Sequence, residues 1–354
     1  MKMTTWGESH GEAIGVVVDG CPAGIPITLE EINLELSRRA PGNNPYTSPR
    51  KENDFVTIAS GVFEGVSTGA PISLMIKNKD ADSSKYEPIK DLLRPGHANH
   101  TYQEKYGIFD YRGGGRASAR ETAGRVAAGA IAKKILKHFN IHVVAYLKQL
   151  SSAQCHPKIE KLEEFYKKVM ESPIFCPDTK CADEMMRLLN EAKSTGDSLG
   201  GIVEFLVDSP PIGLGDPVYE KLEANLAKAM MGLPGTKGFE IGSGFSSVLM
   251  KGSEHNDPYE YENQRIRTTT NHSGGILGGI SNGMPIIGRV AFKPTSSIAK
   301  PQQTLNRENE KATFTLPEGS RHDPCIAIRA VPVVEAMTAL VIADALLMNR
   351  ISKL

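Results

Sequence analysis

The chain is short of several things that would place it quickly. It has no surplus of either charge: 41 Lys and Arg balance 41 Asp and Glu in 354 residues. The basic excess of a nucleic-acid binder is therefore missing, and no nucleic-acid partner is expected. Cysteines number five, an odd count, with no CxxC pair. That spacing argues against a disulfide framework or a structural zinc site, and no metal is expected. Free thiols in a reducing cytoplasm fit instead. No run of about 18 apolar residues is evident, so no membrane span is expected. The opening MKMTTWGESHGEA lacks an apolar h-region, so no signal peptide is expected. No GxGxxG closes an apolar strand and no GxxxxGK[ST] occurs, which speaks against dinucleotide and P-loop folds. Aromatic residues are only 6%, with one Trp.

Glycine, in contrast, is plentiful at 34 residues. Each glycine costs backbone entropy on folding, so their placement calls for a reason. With 40% hydrophobic and 23% charged residues, the chain can build a sizeable core, and disorder is excluded. Thr28 followed by Glu31 reads as a capping box opening a helix over 29–39, stopped by Pro41-Gly42. Strands are expected over 15–19, 55–60, 72–77, 201–207 and 285–292. The alanine-rich stretch 119–138 is the strongest helix. Further helices are expected over 216–231 and 333–350, with two Lys/Glu-rich surface helices near 158–171 and 178–194. No repeat or linker divides the chain. It reads as one α+β or mixed α/β domain spanning 1–354, with 151–195 a surface segment.

Three clusters carry the chemistry. Arg94, Arg112, Arg116, Arg120 and Arg125 fall in one stretch with few acids. Arginine forks pair with phosphate and carboxylate oxygens two at a time. A solvated basic loop would look similar, but Gly113-Gly114-Gly115 lies between these arginines and before a helix. Such a run lets backbone N–H groups approach an anion. Next come His10, His97 and His322, each beside Gly or Pro and a polar neighbour, which favours acid–base work over a structural role. His97 and His100 have metal-like spacing but no carboxylate nearby in sequence. Ser9 or Ser118 could pair with a histidine as a nucleophile, yet no GxSxG elbow supports that. Last, Gly274, Gly275, Gly278, Gly279 and Gly283 precede a strand that ends in Lys293-Pro294-Thr295-Ser296-Ser297. That lysine and those hydroxyls suit a phosphate; a glycine-bulged hairpin with a polar turn fits equally well.

Taken together, TTWGESHGEAIG, SGVFEGVSTGAPI, RPGHANHTYQEKYG, DYRGGGRASARETAGRVAAGA, HSGGILGGISNG, KPTSSI and RHDPCIAIRAVPVVEA resemble the chorismate synthase family. The match runs from Thr4 to about Leu347, and 151–195 carries no family motif. The resemblance implies a β-α-β sandwich and an anti-1,4-elimination of phosphate from 5-enolpyruvylshikimate 3-phosphate. It implies a lyase that closes the shikimate pathway, needs reduced FMN without net redox change, and forms a homotetramer in the cytoplasm. NADPH, or a separate flavin reductase, would supply electrons. Carried over by motif, His10 and His97 would be catalytic, one protonating the departing phosphate and the other the reduced flavin. Asp323 would assist proton removal or orient His322. Ser9, Arg39, Arg50, Arg94, Arg120 and Arg321 would hold substrate anions, with Arg39 also the position for any NADP contact. Arg116, Ala117, Ser118, Pro234, Gly235, Gly278, Arg321 and the segment Lys293, Pro294, Thr295, Ser296, Ser297 would line the flavin.

The chain departs from the family pattern in three places. It starts shortly before Thr4, where the family has a longer segment with a first strand. Trp6 stands for the usual Phe. Pro45 replaces a common arginine and leaves Arg50 or Lys51 to compensate. The alternatives are another phosphate-eliminating flavin-dependent lyase on the same fold, and an inactive oligomeric scaffold.

Overall fold

Two helices rich in small and apolar side chains organise the molecule. In this computed structural model, residues 1–42, 46–47, 54–79, 83–262, 264–317 and 323–353 are described. Helix α3, Thr122–His138, buries Ala123, Gly124, Ala127, Ala128 and Gly129. Helix α7, Ile326–Asn349, buries Ile328, Val331, Val334, Ala336 and Ile342 among others. A Cβ on Gly129 would fall 2.3 Å from the Cβ of Ala336, so only glycine lets these helices approach so closely.

Each helix faces its own sheet. On the α3 side lie β1 (Lys2–Gly7), β2 (Ala13–Asp19), β3 (Val56–Ser60) and β4 (Ile72–Lys77), in the order β1-β2-β4-β3. On the α7 side lie β5 (His142–Leu150), β6 (Ala153–Gln154), β7 (Gly201–Asp208), β8 (Thr236–Ile241) and β9 (Ile286–Phe292), in the order β8-β9-β7-β5-β6. Their pairings are antiparallel. The result is a β-α-β sandwich of α+β class, as the resemblance implied. Alternation on β4 sends Ile72, Leu74 and Ile76 into the core. Each fully buried side chain of this kind stabilises by about 1.5–3 kcal/mol.

Local signals set the helix ends. Helix α1, Leu29–Arg39, opens as expected, with the Thr28 hydroxyl accepting the Glu31 N–H at 3.3 Å. Helix α7 begins seven residues before the expected Val333, because the buried Ala327, Ile328 and Val331 carry it through Pro332. A start just after that proline is what its missing N–H predicts. By length and composition α7 could cross a membrane, but 83% of its most apolar window is buried within the protein. The expected first helical turn at 119 is a 3₁₀ turn, Ala119–Glu121, and the helix expected from 216 starts at Leu222. Strands β1, β5, β6 and β8 were not foreseen.

Helices α4 (Leu162–Glu171) and α5 (Thr179–Ser194) are not solvated all round. Each buries one face, through Phe165 and Val169 or Ala182, Met185 and Leu189. Between α1, α3 and β5 sits Glu335. Arg38 donates to both of its oxygens at 2.6 and 3.1 Å, Lys133 donates to it, and so does the Ala145 N–H at 3.0 Å. Burial alone would raise its carboxyl. Arg38 and Lys133 outweigh that and hold it down to about 2.

Candidate active site

A cavity of ≈ 730 Å³ opens where loops 94–98, 113–119, 232–237 and 292–297 meet the first turns of α7. That volume is in the ~300–1,000 Å³ range of small-molecule sites. Ser9, His10, Arg39, Arg94, His97, Arg116, Ala117, Ser118, Arg120, Pro234, Gly235 and Asp323 all line it, with the whole of Lys293 to Ser297. These residues come from seven separate stretches of chain and were all named from sequence. Gly278 is the exception. It lies off the cavity, between the short strands Ile276–Leu277 and Ile280–Ser281, with open space where a side chain would be. The φ of +62° in that tight connection accounts for the glycine without a ligand. Arg50, Arg321, His322 and Pro45 lie outside the described residues.

The glycine run does something other than expected. Gly113 and Gly114 are in the left-handed region, at φ +61° and +96°. A Cβ on Gly113 would fall 2.1 Å from His10 Nδ1, and one on Gly114 would fall 3.0 Å from His97 Nε2. The run therefore makes room for both imidazoles. His10 is also oriented by the Ser9 hydroxyl, 3.1 Å from its Nδ1, and by the edge of Tyr86 at 5.2 Å. Ser118 is occupied differently, accepting the Arg120 N–H at 3.3 Å.

His97 is the deeper ring. Its Nδ1 is buried and has no hydrogen-bond partner among the described residues. Burial, then the charges of Arg94 and Lys293, hold its imidazole down to about 3, so it is neutral near pH 7. A buried, unmet nitrogen beside two cations is poised to interact with an incoming anion.

The cations fall into two groups. Arg39 and Arg120 share the fully buried carboxylate of Asp54: Arg39 Nη1 donates to Oδ2 at 3.1 Å, and Arg120 Nη1 donates to Oδ1. Arg39 also donates to Thr122 Oγ1 at 3.0 Å and the Ala119 carbonyl at 3.0 Å. Burial, followed by repulsion from Arg329, lowers the Arg39 guanidinium below its ordinary value. Arg94, Arg116 and Lys293 form the second group, which has no carboxylate partner among the described residues. Arg94 Nη2 donates to Ser297 Oγ at 2.7 Å, Lys293 Nζ donates to the Gly96 carbonyl at 2.6 Å, and Arg116 donates to the Gly7 carbonyl at 2.7 Å and Thr5 Oγ1 at 2.7 Å. Asp323 is held by Arg329 at 2.9 Å, and its carbonyl accepts from Thr295 Oγ1 at 3.1 Å.

Sequence reasoning missed Asp54, Arg329 and Tyr86. Nothing in KENDFV marks Asp54. Arg329 sits in the RHDPCIAIR block, and a helix starting at Ile326 would have revealed it on the turn after Asp323.

Two histidines beside cations that lack counter-charges, over a floor of Leu233, Phe292, Ile326 and Val333, define a class. This is the site of an enzyme that binds a strongly anionic small molecule and moves protons on it. The comparisons with known proteins narrow the class. The family profile described as chorismate synthase matches residues 1–347. The chain is 59% identical to the chorismate synthase of Protochlamydia amoebophila, over 100% of this chain and 97% of that protein. It is 52% identical to that of Opitutus terrae, over 97% and 93%. A crystal structure of chorismate synthase superposes with a TM-score of 0.78 at 32% identity, covering 99% of this chain and 92% of that one. The chain belongs to the chorismate synthase family.

Proposed function

We infer that the cavity binds 5-enolpyruvylshikimate 3-phosphate and reduced FMN together. The chain is a lyase of the shikimate pathway that eliminates phosphate to give chorismate. The observation that carries the reading is Arg94 and Lys293 beside neutral His97, with Arg116 lining the same cavity and no carboxylate partner for the three among the described residues. The substrate brings two carboxylates and a phosphate, and FMN brings a further phosphate. A net-neutral protein has to concentrate charge locally to hold them.

The residues present fit a flavin. The apolar floor suits a flat ring, while Lys293, Thr295, Ser296, Ser297 and Arg116 give cations and hydroxyls for its polar edge and phosphate. Reduced flavin would supply electron density and a proton acceptor to the substrate ring as phosphate leaves. His97, between Arg94 and Lys293, stands on the flavin side. Burial is the largest cause of its neutrality, and an anion settling beside it offsets the two charges that add to it, which favours uptake of a proton on binding. His10, on the Ser9 and Tyr86 side, is left to protonate the departing phosphate. Arg39, Arg120 and Asp54 form a braced wall, and Asp323, fixed by Arg329, supports proton removal from the ring.

Arg50 is proposed to contribute to substrate binding in place of the arginine that Pro45 lacks, and Arg321 to contact both ligands. The enzyme acts as a cytoplasmic homotetramer, with electrons from NADPH at a site including Arg39 or from a separate reductase. Anaerobic assay with FMN reduced by dithionite tests the reaction. Phosphate and chorismate should form in equal amounts, and neither without flavin. Well-folded protein that releases no phosphate with reduced flavin would refute the activity.

A further inference from the structure

The segment 151–195 contributes nothing to the cavity, yet it holds chemistry of its own. Cys155 follows β6, Cys176 lies between α4 and α5, and Cys181 is in the first turn of α5. Their three sulfurs lie within 4.8 Å of one another. All are free thiols, two buried and one half-buried. Sequence spacing argued against a zinc site because no CxxC occurs, but the turn between α4 and α5 brings together what the sequence separates.

The geometry is close to that of a bound ion. With Zn–S bonds of ~2.3 Å, sulfurs on a tetrahedral zinc stand ~3.8 Å apart, within a small side-chain adjustment of the arrangement present. The backbone is already fixed around the cluster. Asp178 Oδ1 accepts the Cys181 N–H at 2.9 Å, and the Cys155 N–H donates to the Lys148 carbonyl at 2.9 Å. The thiols now donate to carbonyls, Cys155 to Leu147 at 3.6 Å and Cys176 to Asp178 at 3.5 Å. Those are long, weak contacts that cost little to give up.

The hydrogen bond with Cys176 and then burial hold the Cys155 thiol up, and burial pushes that of Cys181 up to about 11, so the ion itself has to displace these protons. Cys181 is at the positive N-terminal end of the 16-residue α5. The Lys148 ammonium, the smallest of the influences on Cys155, also favours its thiolate. Three thiolates around Zn²⁺ leave one net negative charge, which these two features offset. Partly exposed Cys181 gives water a route to the fourth position.

We propose that Cys155, Cys176 and Cys181 form a zinc site that ties the α4–α5 turn and the first turn of α5 to the end of strand β6. Binding releases the thiol protons to solvent, and no electron is transferred. None of the three cysteines lines the cavity, so the site acts on stability rather than turnover.

Zinc uptake by the reduced, chelator-treated full-length enzyme tests this. One Zn²⁺ should bind per chain and raise the thermal midpoint. Co²⁺ in its place should give thiolate charge-transfer absorption of a tetrahedral site. Cys181→Ser, at the half-buried position where folding is least at risk, should weaken zinc binding by roughly 100-fold or more while leaving chorismate formation unchanged. Cys176→Ser should behave alike. Failure of the reduced wild type to take up Zn²⁺, binding of Cu⁺ alone, or undiminished uptake by both variants would overturn the site. So would an intact mass two hydrogens low in freshly purified protein, which would make the cluster a disulfide.

Discussion

Two groups of cations line one cavity, and they differ in what holds them. Arg39 and Arg120 are only 3% and 6% exposed and are tied to Asp54 from both sides. Arg94, Arg116 and Lys293 rest, among the described residues, on carbonyls and hydroxyls. All five residues were read from sequence as anion ligands. The first group has two cations on one buried carboxylate, so removing that carboxylate leaves two buried charges without a partner. The second group has nothing to unbalance, and its charge is available for a ligand. The same residue type can therefore brace the wall or bind the ligand, and the counter-charge decides which loss is felt first.

The largest effects should come from the rings between the two groups. His10→Ala and His97→Ala should each lower turnover by roughly 10²–10⁴-fold with substrate still bound, measured by stopped-flow phosphate release. Gly113→Ala should reproduce most of the His10 loss, since the added methyl takes the space of the ring. A Gly113→Ala enzyme with normal turnover would mean that the run does not seat His10.

Breaking the braced group should show in stability. Asp54→Ala should cost about 3–5 kcal/mol in denaturant unfolding, because two buried guanidiniums lose their partner. A loss as small as that of a surface pair would erase the distinction between the groups.

The Glu335 cluster sharpens the comparison, since its cations are also fully committed. Its carboxyl is held at about 2, below its ordinary 4.5. The stabilisation is complete above pH 4.5 and drains away as pH falls toward 2, where the folded form too takes up the proton. Acid unfolding of Glu335→Gln should therefore be less steep across that window than in the wild type. Equal slopes would show that Arg38 and Lys133 do not set that carboxyl.

Much of this was legible in the residues. Thr28 and Glu31 announced α1, because a cap is local chemistry. The alanine run announced α3, and the histidines and arginines announced the site, because turn residues and forks are needed close to the chemistry. What stayed hidden depended on contacts far apart in the chain. Asp54 has meaning only once α1 and the 119–122 turn converge on it. Nothing in GGGRASAR says that His10 and His97 will pack against the glycine run. Pro332 hid the start of α7, since burial there outweighs one missing N–H. Cysteine spacing, for the same reason, did not show that Cys155, Cys176 and Cys181 come together.

The account rests most directly on Arg94, a deep cation whose burial lowers its guanidinium below the ordinary value and which no acid among the described residues offsets. Calorimetric titration of 5-enolpyruvylshikimate 3-phosphate into flavin-loaded wild type and Arg94→Ala isolates its contribution. Loss of one charge-assisted interaction, about 1.5–3 kcal/mol, should weaken binding roughly 10- to 150-fold, with the unfolding midpoint unchanged. Unaltered substrate affinity in Arg94→Ala, or a loss of stability to match that of Asp54→Ala, would contradict it.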